Sequence, residues 1–483
     1  MTPRIAIIGA GFGGLCMAIR LEKAGITSYT VFEKADAVGG TWRDNSYPGA
    51  GCDIPSHLYS YSFEKYASWT RRYPGQPEIL GYLEHCADKY DVRRKIRFAT
   101  EVTDAAFDGA GWRVTSRETG TAGASRTEQY DVVVAAVGQL NRPHMPEIEG
   151  MGDFEGVAFH SARWDHDHDL SGRRVAVIGT GSSAAQFIPK VAERAGRLTV
   201  FQRTPNWVIP KPDAEFTPLV QSALHFVPGL QRAYREWIYR YAEGTLYPAL
   251  AGGWSTQLLR KRALAHLHAQ VADPGLRARL TPDYPPGCKR VVIDSRFYPA
   301  LTRPNVDVVT DRVTRITPKG VETDRGLHEV DTIVYGTGFL STEFLAPIDL
   351  TGRDGRKLHE QWKDGAEAYL GISVPGFPNL FLLYGPNTNL GHNSIVFMLE
   401  CQVDHIMRCL PYLVSRGPME VRPQVMAAWT GQLERAMERM VWGNGCRSWY
   451  KTAGGRVTNN WPGPTPLYKR LTSRSPGPMY KYG

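Results

Sequence analysis

Apolar residues in this chain recur at two spacings, and the spacing changes sharply at glycine. Arg4 to Ile8 (RIAII) is a short apolar run; after a glycine-rich break, Leu15, Ala18, Ile19 and Leu21 fall at helical spacing, and Tyr29 to Phe32 is a second compact run. The order predicts strand, glycine turn, helix, strand: one βαβ unit. It recurs at Arg174 to Ile178 (RVAVI), a second glycine turn, a helix through Val191 and a strand at Leu198 to Phe201. Further buried-strand runs stand at Tyr130 to Val137, Thr332 to Gly338 and Leu380 to Tyr384. From Thr217 to Arg279 strand-like runs cease, and aromatics such as Phe226, Trp237 and Trp254 sit in a helical pattern. The expected fold class is α/β, with two dinucleotide-binding (Rossmann-like) domains and a helical insertion. The first domain takes 1–146 and 335–483, the second 151–206 and 290–334, and the insertion 207–289.

Composition narrows the chemistry only a little. With 483 residues, 42% hydrophobic and 22% charged, the chain is too apolar for disorder and long enough for full cores. Lys and Arg (57) exceed Asp and Glu (48), giving +9. The cations are scattered, which suits a phosphate-bearing ligand and not a nucleic-acid groove. Seven cysteines, at 16, 52, 86, 288, 401, 409 and 446, show no metal-ligand spacing. A reduced, cytoplasmic protein with no metal is therefore expected. No leader pattern and no apolar run of about 20 residues is visible, so neither secretion nor stable membrane insertion is expected.

The two glycine turns carry the first chemistry. Gly9, Gly11 and Gly14, with Phe12 among them, follow a strand and open a helix. Such a turn lets backbone approach a pyrophosphate, and the helix N-terminus offers its free N–H groups. Glu33, with Lys34 after it, ends the next strand, where a carboxylate can accept hydrogen bonds from ribose hydroxyls. The second turn holds Gly179, Thr180, Gly181, Ser182, Ser183 and Ala184. Here the strand ends in Gln202, followed by Arg203 and Thr204. An adenosine 2′-phosphate is repelled by an acid and attracted by Arg and Thr. The first site thus suits a free ribose and the second NADPH.

Between the turns lie Phe154, Gly156, His160, Trp164 and Asp165, spaced FxGxxxHxxxW and followed by Asp. With this linker the sequence resembles the type I Baeyer–Villiger monooxygenases, a group of the class B flavoprotein monooxygenases. Matching segments at Gly39–Trp42, Tyr47–Ala50, Gly287–Arg290, Gly336–Phe339 and Gly391–Ser394 extend the resemblance over nearly the whole chain. The resemblance implies FAD in the first domain and NADPH (NADP+) in the second. The activity implied is O2-dependent insertion of one oxygen beside a ketone carbonyl, through a C4a-peroxyflavin, to give an ester or lactone. It also implies that Arg290 stabilises the peroxyflavin, that Asp53 holds and tunes Arg290, and that Lys289 joins Arg203 at the 2′-phosphate. Trp449 matches a residue near the NADP ribose and nicotinamide, while His160 and Trp164 couple domain movement to catalysis. Further cofactor contacts implied are Gly40, Thr41, Trp42, Tyr59, Val102, Gly138, Gly336, Thr337, Gly338, Asn387 and Asn393. Asn393-Ser394 precedes a helical pattern and reads as its cap. The expected partners are the ketone and O2 alone, and the expected state a monomer or weak oligomer. Oxidation of sulfides or amines is the alternative activity. A flavin disulfide reductase needs a redox cysteine pair, which is missing, and nothing in the sequence supports a non-enzymatic sensor.

Overall fold

The computed structural model describes residues 2–121, 123–443 and 448–483. Two five-stranded parallel sheets organise it. The first runs Leu380–Leu382, Val132–Ala135, Ile5–Ile8, Tyr29–Phe32, Ile96–Arg97. The second runs Val306–Val309, Arg197–Phe201, Arg174–Ile178, Thr332–Tyr335, Val157–His160. In each, the strand that enters the glycine turn is central, and the chain order reverses across it. That switch point opens a crevice at the carboxyl ends of the strands. Ile5–Ile8, Val132–Ala135 and Thr332–Tyr335 are buried at every position. Helices cover one face of each sheet and an antiparallel sheet covers the other, which is why these strands read as unbroken apolar runs.

The strand Thr332–Tyr335 belongs to the second sheet and Leu380–Leu382 to the first, so the chain crosses back after Gly336–Gly338. Two antiparallel sheets flank the parallel ones. One holds Thr100–Phe107, Trp112–Glu118 and Arg126–Tyr130 with Asp349–Thr351; the other holds Val313–Thr317, Gly320–Thr323 and Gly326–Glu329. Helices Pro218–Phe226, Leu230–Leu250, Ser255–Gln270 and Pro274–Arg279 fill the expected helical segment. The segment 207–289 opens on a strand, however: Val208–Ile209 pairs in parallel with Val292–Ile293, and this ribbon ties the two ends of the insertion together.

Cys16, Cys52, Cys86, Cys401 and Cys409 are buried free thiols. Cys288 is disulfide-bonded, which corrects the expectation of a wholly reduced set at that position. Cys446 lies outside the described residues. Among the described residues no helix is long and apolar enough to cross a membrane, and no group of side chains could hold a metal ion.

Candidate functional site

In the first turn, Gly9 has φ +104°, and a Cβ there would stand 2.7 Å from the carbonyl oxygen of Ala136. A Cβ on Gly14 would stand 1.8 Å from the carbonyl oxygen of Gly9, so the helix Phe12–Lys23 lies against its own strand only without one. Over Gly11 the nearest neighbour is Gly40, 3.6 Å away, and Thr41 begins a short helix behind it. Glu33 is buried. Its Oε2 accepts from the Ala10 N–H at 2.8 Å, while Oε1 accepts from the Ala35 N–H at 3.0 Å and from Arg43 at 3.2 Å. Glu33 is therefore also a fastener of the turn, beyond the ribose role read from the sequence. Lys34 beside it is exposed. Phe12 meets Tyr59 edge-on at 5.1 Å, and the Trp42 indole donates to the Tyr59 hydroxyl at 3.1 Å. Val102 is buried two residues beyond Thr100, whose N–H donates to the Glu33 carbonyl at 2.9 Å. Gly138 follows the neighbouring strand with φ +74°.

The second turn repeats the geometry. A Cβ on Gly179 would stand 2.4 Å from the Gly336 carbonyl oxygen, and Gly181 has no heavy atom within 4 Å of its own. Ser182 and Ser183 open the helix Ser182–Ala192. Asn206 donates to the Thr180 carbonyl at 2.6 Å. The electrostatics differ. The Gln202 amide is buried and donates to the Arg279 carbonyl at 2.9 Å, while Arg203 is exposed and Thr204 half-buried. The Lys289 ammonium lies 4.8 Å over the Tyr284 ring, and burial, then the charge of Arg203, push it below the ordinary lysine value. Two cations that repel each other mark a place where an anion is favoured.

Arg290 and Asp53, 237 positions apart in the chain, meet in an ion pair. Arg290 Nη2 and Nε donate to Asp53 Oδ2 at 2.6 and 3.2 Å, and Nη1 reaches the Leu390 carbonyl at 3.4 Å. Arg290 is placed by the ribbon, where the Val292 N–H donates to the Trp207 carbonyl at 2.8 Å. Asp53 is placed by the Cys52 N–H, which donates to the Pro74 carbonyl at 2.9 Å. The two side chains are 26 and 21% exposed, mostly but not wholly withdrawn from water. Burial pushes the Asp53 carboxyl up, yet the Arg290 charge and hydrogen bonds outweigh it and hold it below the usual carboxylate range. The Asp53 charge in turn holds Arg290 above the ordinary arginine value. Tyr384 and Tyr450 are close enough to feel that charge; burial pushes the Tyr450 phenol up to about 12, so it stays neutral.

The linker residues pack and do not reach Arg290. Gly156 leaves room for the Phe154 ring, which a Cβ would meet at 2.6 Å. His160 is buried, accepts from the Ala162 N–H at 3.1 Å through Nδ1, and is pushed down to about 4 by burial. Trp164 meets Phe159 at 5.2 Å and Phe187 of the second turn's helix at 5.4 Å, while Asp165 accepts from the Asp167 N–H at 3.1 Å. The Thr337 hydroxyl donates to the His144 carbonyl at 2.5 Å, and the Gly338 carbonyl accepts from the His144 N–H at 2.9 Å. Asn387 donates to the Val457 carbonyl at 2.9 Å. Ser394 caps the helix Ile395–Arg416 by accepting from the Val396 N–H, whereas Asn393 donates to Glu243 at 2.8 Å. Trp449 is exposed, its ring set against Tyr450, and its carbonyl accepts from the Ser341 hydroxyl at 3.1 Å.

Sequence reading missed three residues that hold these parts together. Gln186, on the second turn's helix, donates to the Gly51 carbonyl at 2.9 Å and accepts from the Tyr47 hydroxyl at 2.9 Å, just ahead of Asp53. Glu243 of the insertion takes His392 at 3.2 Å as well as Asn393. Arg235 donates to the carbonyls of His57 and Ser60 at 2.6 and 3.0 Å. The signal for the last two was a helical spacing of eight on one face of an aromatic-rich helix.

A flavin-binding monooxygenase-like family model matches residues 2–219. A Baeyer–Villiger monooxygenase of Streptomyces coelicolor is 43% identical over 98% of this chain and 91% of its own length. One from Pseudomonas aeruginosa is 40% identical over 99% of this chain and 91% of its own. Among solved structures, an oxidised steroid monooxygenase bound to NADP matches with a TM-score of 0.87 at 31% identity, over 100% of this chain and 99% of that one.

Proposed function

The chain belongs to the Baeyer–Villiger monooxygenases, and we propose that Arg290 and Asp53 form the centre of its reaction, with a ketone as substrate. It is an FAD-containing, NADPH-dependent monooxygenase. The residues fit both cofactors. Backbone without a Cβ at Gly11 and Gly181 would let a pyrophosphate approach at each turn, Glu33 is the carboxylate that would accept from a ribose hydroxyl, and Arg203 with Lys289 suits a 2′-phosphate. In this reading Phe12, Gly40, Thr41, Trp42, Tyr59 and Gly138 surround the flavin nucleotide, and Thr180, Ser182, Ser183, Thr204 and Trp449 the nicotinamide one. The flavin body comprises 1–146 and 335–483, and the NADPH body 151–206 and 290–334. When bound, the flavin supplies the hydride acceptance and oxygen activation; the protein supplies position and charge.

The observation that carries the reading is the fork of Arg290 on a single oxygen of Asp53, with Nη1 engaged only at 3.4 Å. Asp53 fixes one edge of the guanidinium and leaves the other free to donate to an anionic oxygen. A charge fixed this way, mostly out of water, stabilises an oxyanion at a carbonyl adduct without having to reorganise. Arginine keeps its proton throughout, so it acts by charge and not by proton transfer.

Arg290→Ala tests this. The variant should bind FAD and be bleached by NADPH without air, yet give less ester from a cyclic ketone by a factor of about 10²–10³. Normal ester formation by the variant overturns the assignment. Exclusive sulfoxide formation from a thioether, with no ester from any ketone, overturns the choice of substrate class.

A further inference from the structure

The helical insertion carries an apolar surface that the reaction leaves unused. Helix Pro218–Phe226 (PLVQSALHF) buries none of its residues, with Leu219 80% and Phe226 75% exposed. It packs against Leu230–Leu250, which packs against Ser255–Gln270. The middle helix has two faces. Arg235, Tyr239, Glu243 and Tyr247, each four residues apart, turn inward onto His57, Phe397 and His392. Trp237 and Tyr241 turn outward, stacked at 5.9 Å and both exposed. Ser255–Gln270 does the same. Leu259, Ala263 and Leu267 are buried, while Leu258 is exposed and Trp254, just ahead of the helix, is 68% exposed.

Large apolar side chains on a protein surface are ordinarily scattered singly; here they gather on three consecutive helices. The charges around them are one-sided. In residues 217–271, Arg235 and Glu243 turn inward and Arg240 pairs with Glu236 at 2.6 Å, which leaves Arg232, Arg260, Lys261 and Arg262 on the outside with no carboxylate to match them. Arg260, Lys261 and Arg262 are exposed and make no ion pair among the described residues. A second copy of the chain would bring the same excess of cations to the contact and be repelled. Tryptophan and tyrosine beside unpaired Arg and Lys instead match the headgroup layer of a bilayer, where rings sit at the apolar boundary and cations meet phosphate.

We propose that this face of the insertion seats the enzyme on an anionic phospholipid surface, lying in the headgroup region without crossing it. The holoenzyme is centrifuged with vesicles of phosphatidylcholine alone and of phosphatidylcholine mixed with phosphatidylglycerol. It should pellet with the mixed vesicles. Binding should fall on the order of tenfold in pure phosphatidylcholine, and equally for Arg260→Glu with Lys261→Glu on the mixed vesicles. Leu219→Glu with Trp254→Glu should abolish binding, with flavin content and thermal unfolding unchanged. Independently of those charge variants, tryptophan emission of the unaltered enzyme should be quenched by brominated acyl chains in the mixed vesicles, and less so in Trp254→Phe. Failure to pellet with either vesicle overturns the proposal. So does a dimer by light scattering that Leu219→Glu with Trp254→Glu turns into a monomer. Vesicle binding is read without turnover, so its failure leaves the role of Arg290 untouched.

Discussion

The two glycine turns share a backbone and differ in everything that follows it. Each has a positive-φ glycine pressed against a carbonyl oxygen of the neighbouring strand's end, Ala136 for Gly9 and Gly336 for Gly179. At the next glycine the second leaves open space, while the first has only the Gly40 backbone nearby. The first then closes on a buried carboxylate, Glu33, gripped by two backbone N–H groups and Arg43. The second closes on a buried amide, Gln202, that gives its proton to a carbonyl, with Arg203 and Lys289 outside it. On the proposed reading, the glycines decide where a pyrophosphate goes and the residue ending the second strand decides which nucleotide carries it.

The comparison is broken most severely at Gly14. A Cβ 1.8 Å from a backbone oxygen cannot be absorbed by a side-chain movement, so Gly14→Ala should cost more than about 3 kcal/mol and yield colourless protein. Retained flavin with an unchanged melting temperature would contradict the tight helix–strand contact. Glu33→Gln comes next. It removes a charge that Arg43 and two N–H groups are arranged to meet, and should weaken flavin binding by about 10- to 100-fold in a dialysis titration. NADPH binding should be unchanged.

His160, in the linker between the two bodies, adds a pH test. Burial pushes it from 6.5 down to about 4, so below pH 6.5 the unfolded chain takes up a proton that the folded chain refuses. Its contribution is therefore fully present above pH 6.5 and is lost as pH falls toward 4, at up to about 1.4 kcal/mol per pH unit. Thermal melts between pH 7 and about 5 should show a shallower decline in His160→Gln than in the parent. A smaller effect is expected at the exposed Arg203. Arg203→Ala should raise the KM for NADPH about tenfold and leave that for NADH unchanged. An unaltered ratio would remove Arg203 from the phosphate.

How much of this was legible follows from burial. Ile5–Ile8 and Thr332–Tyr335 are covered on both faces and stand out as apolar runs. Arg126–Tyr130 (RTEQY) and Gly326–Glu329 (GLHE) are strands of half-exposed antiparallel sheets with almost nothing buried, and they pass for polar loops. The glycine turns were readable because a turn constrains neighbours in sequence. The Arg290–Asp53 pair spans 237 positions, and no local spacing joins them. Only the family resemblance singled them out. Gln186 had neither signal; it is one polar residue on a helix, and its partners Gly51 and Tyr47 lie 135 and 139 positions away in the chain.

The smallest effect sharpens the comparison furthest. Ala184 occupies the position of Gly14, yet it carries a Cβ and is fully buried. In the second turn the Ala184 methyl lies beside Gly336, where an added Cβ would stand only 3.1 Å from it, whereas in the first turn the obstacle to a methyl at position 14 is the Gly9 carbonyl oxygen. Ala184→Gly should then cost only the helix preference and a small void, about 1 kcal/mol, lowering the melting temperature by about 2–4 °C with both cofactors still bound. A loss as large as that of Gly14→Ala would mean that the Ala184 methyl does more than fill space beside Gly336.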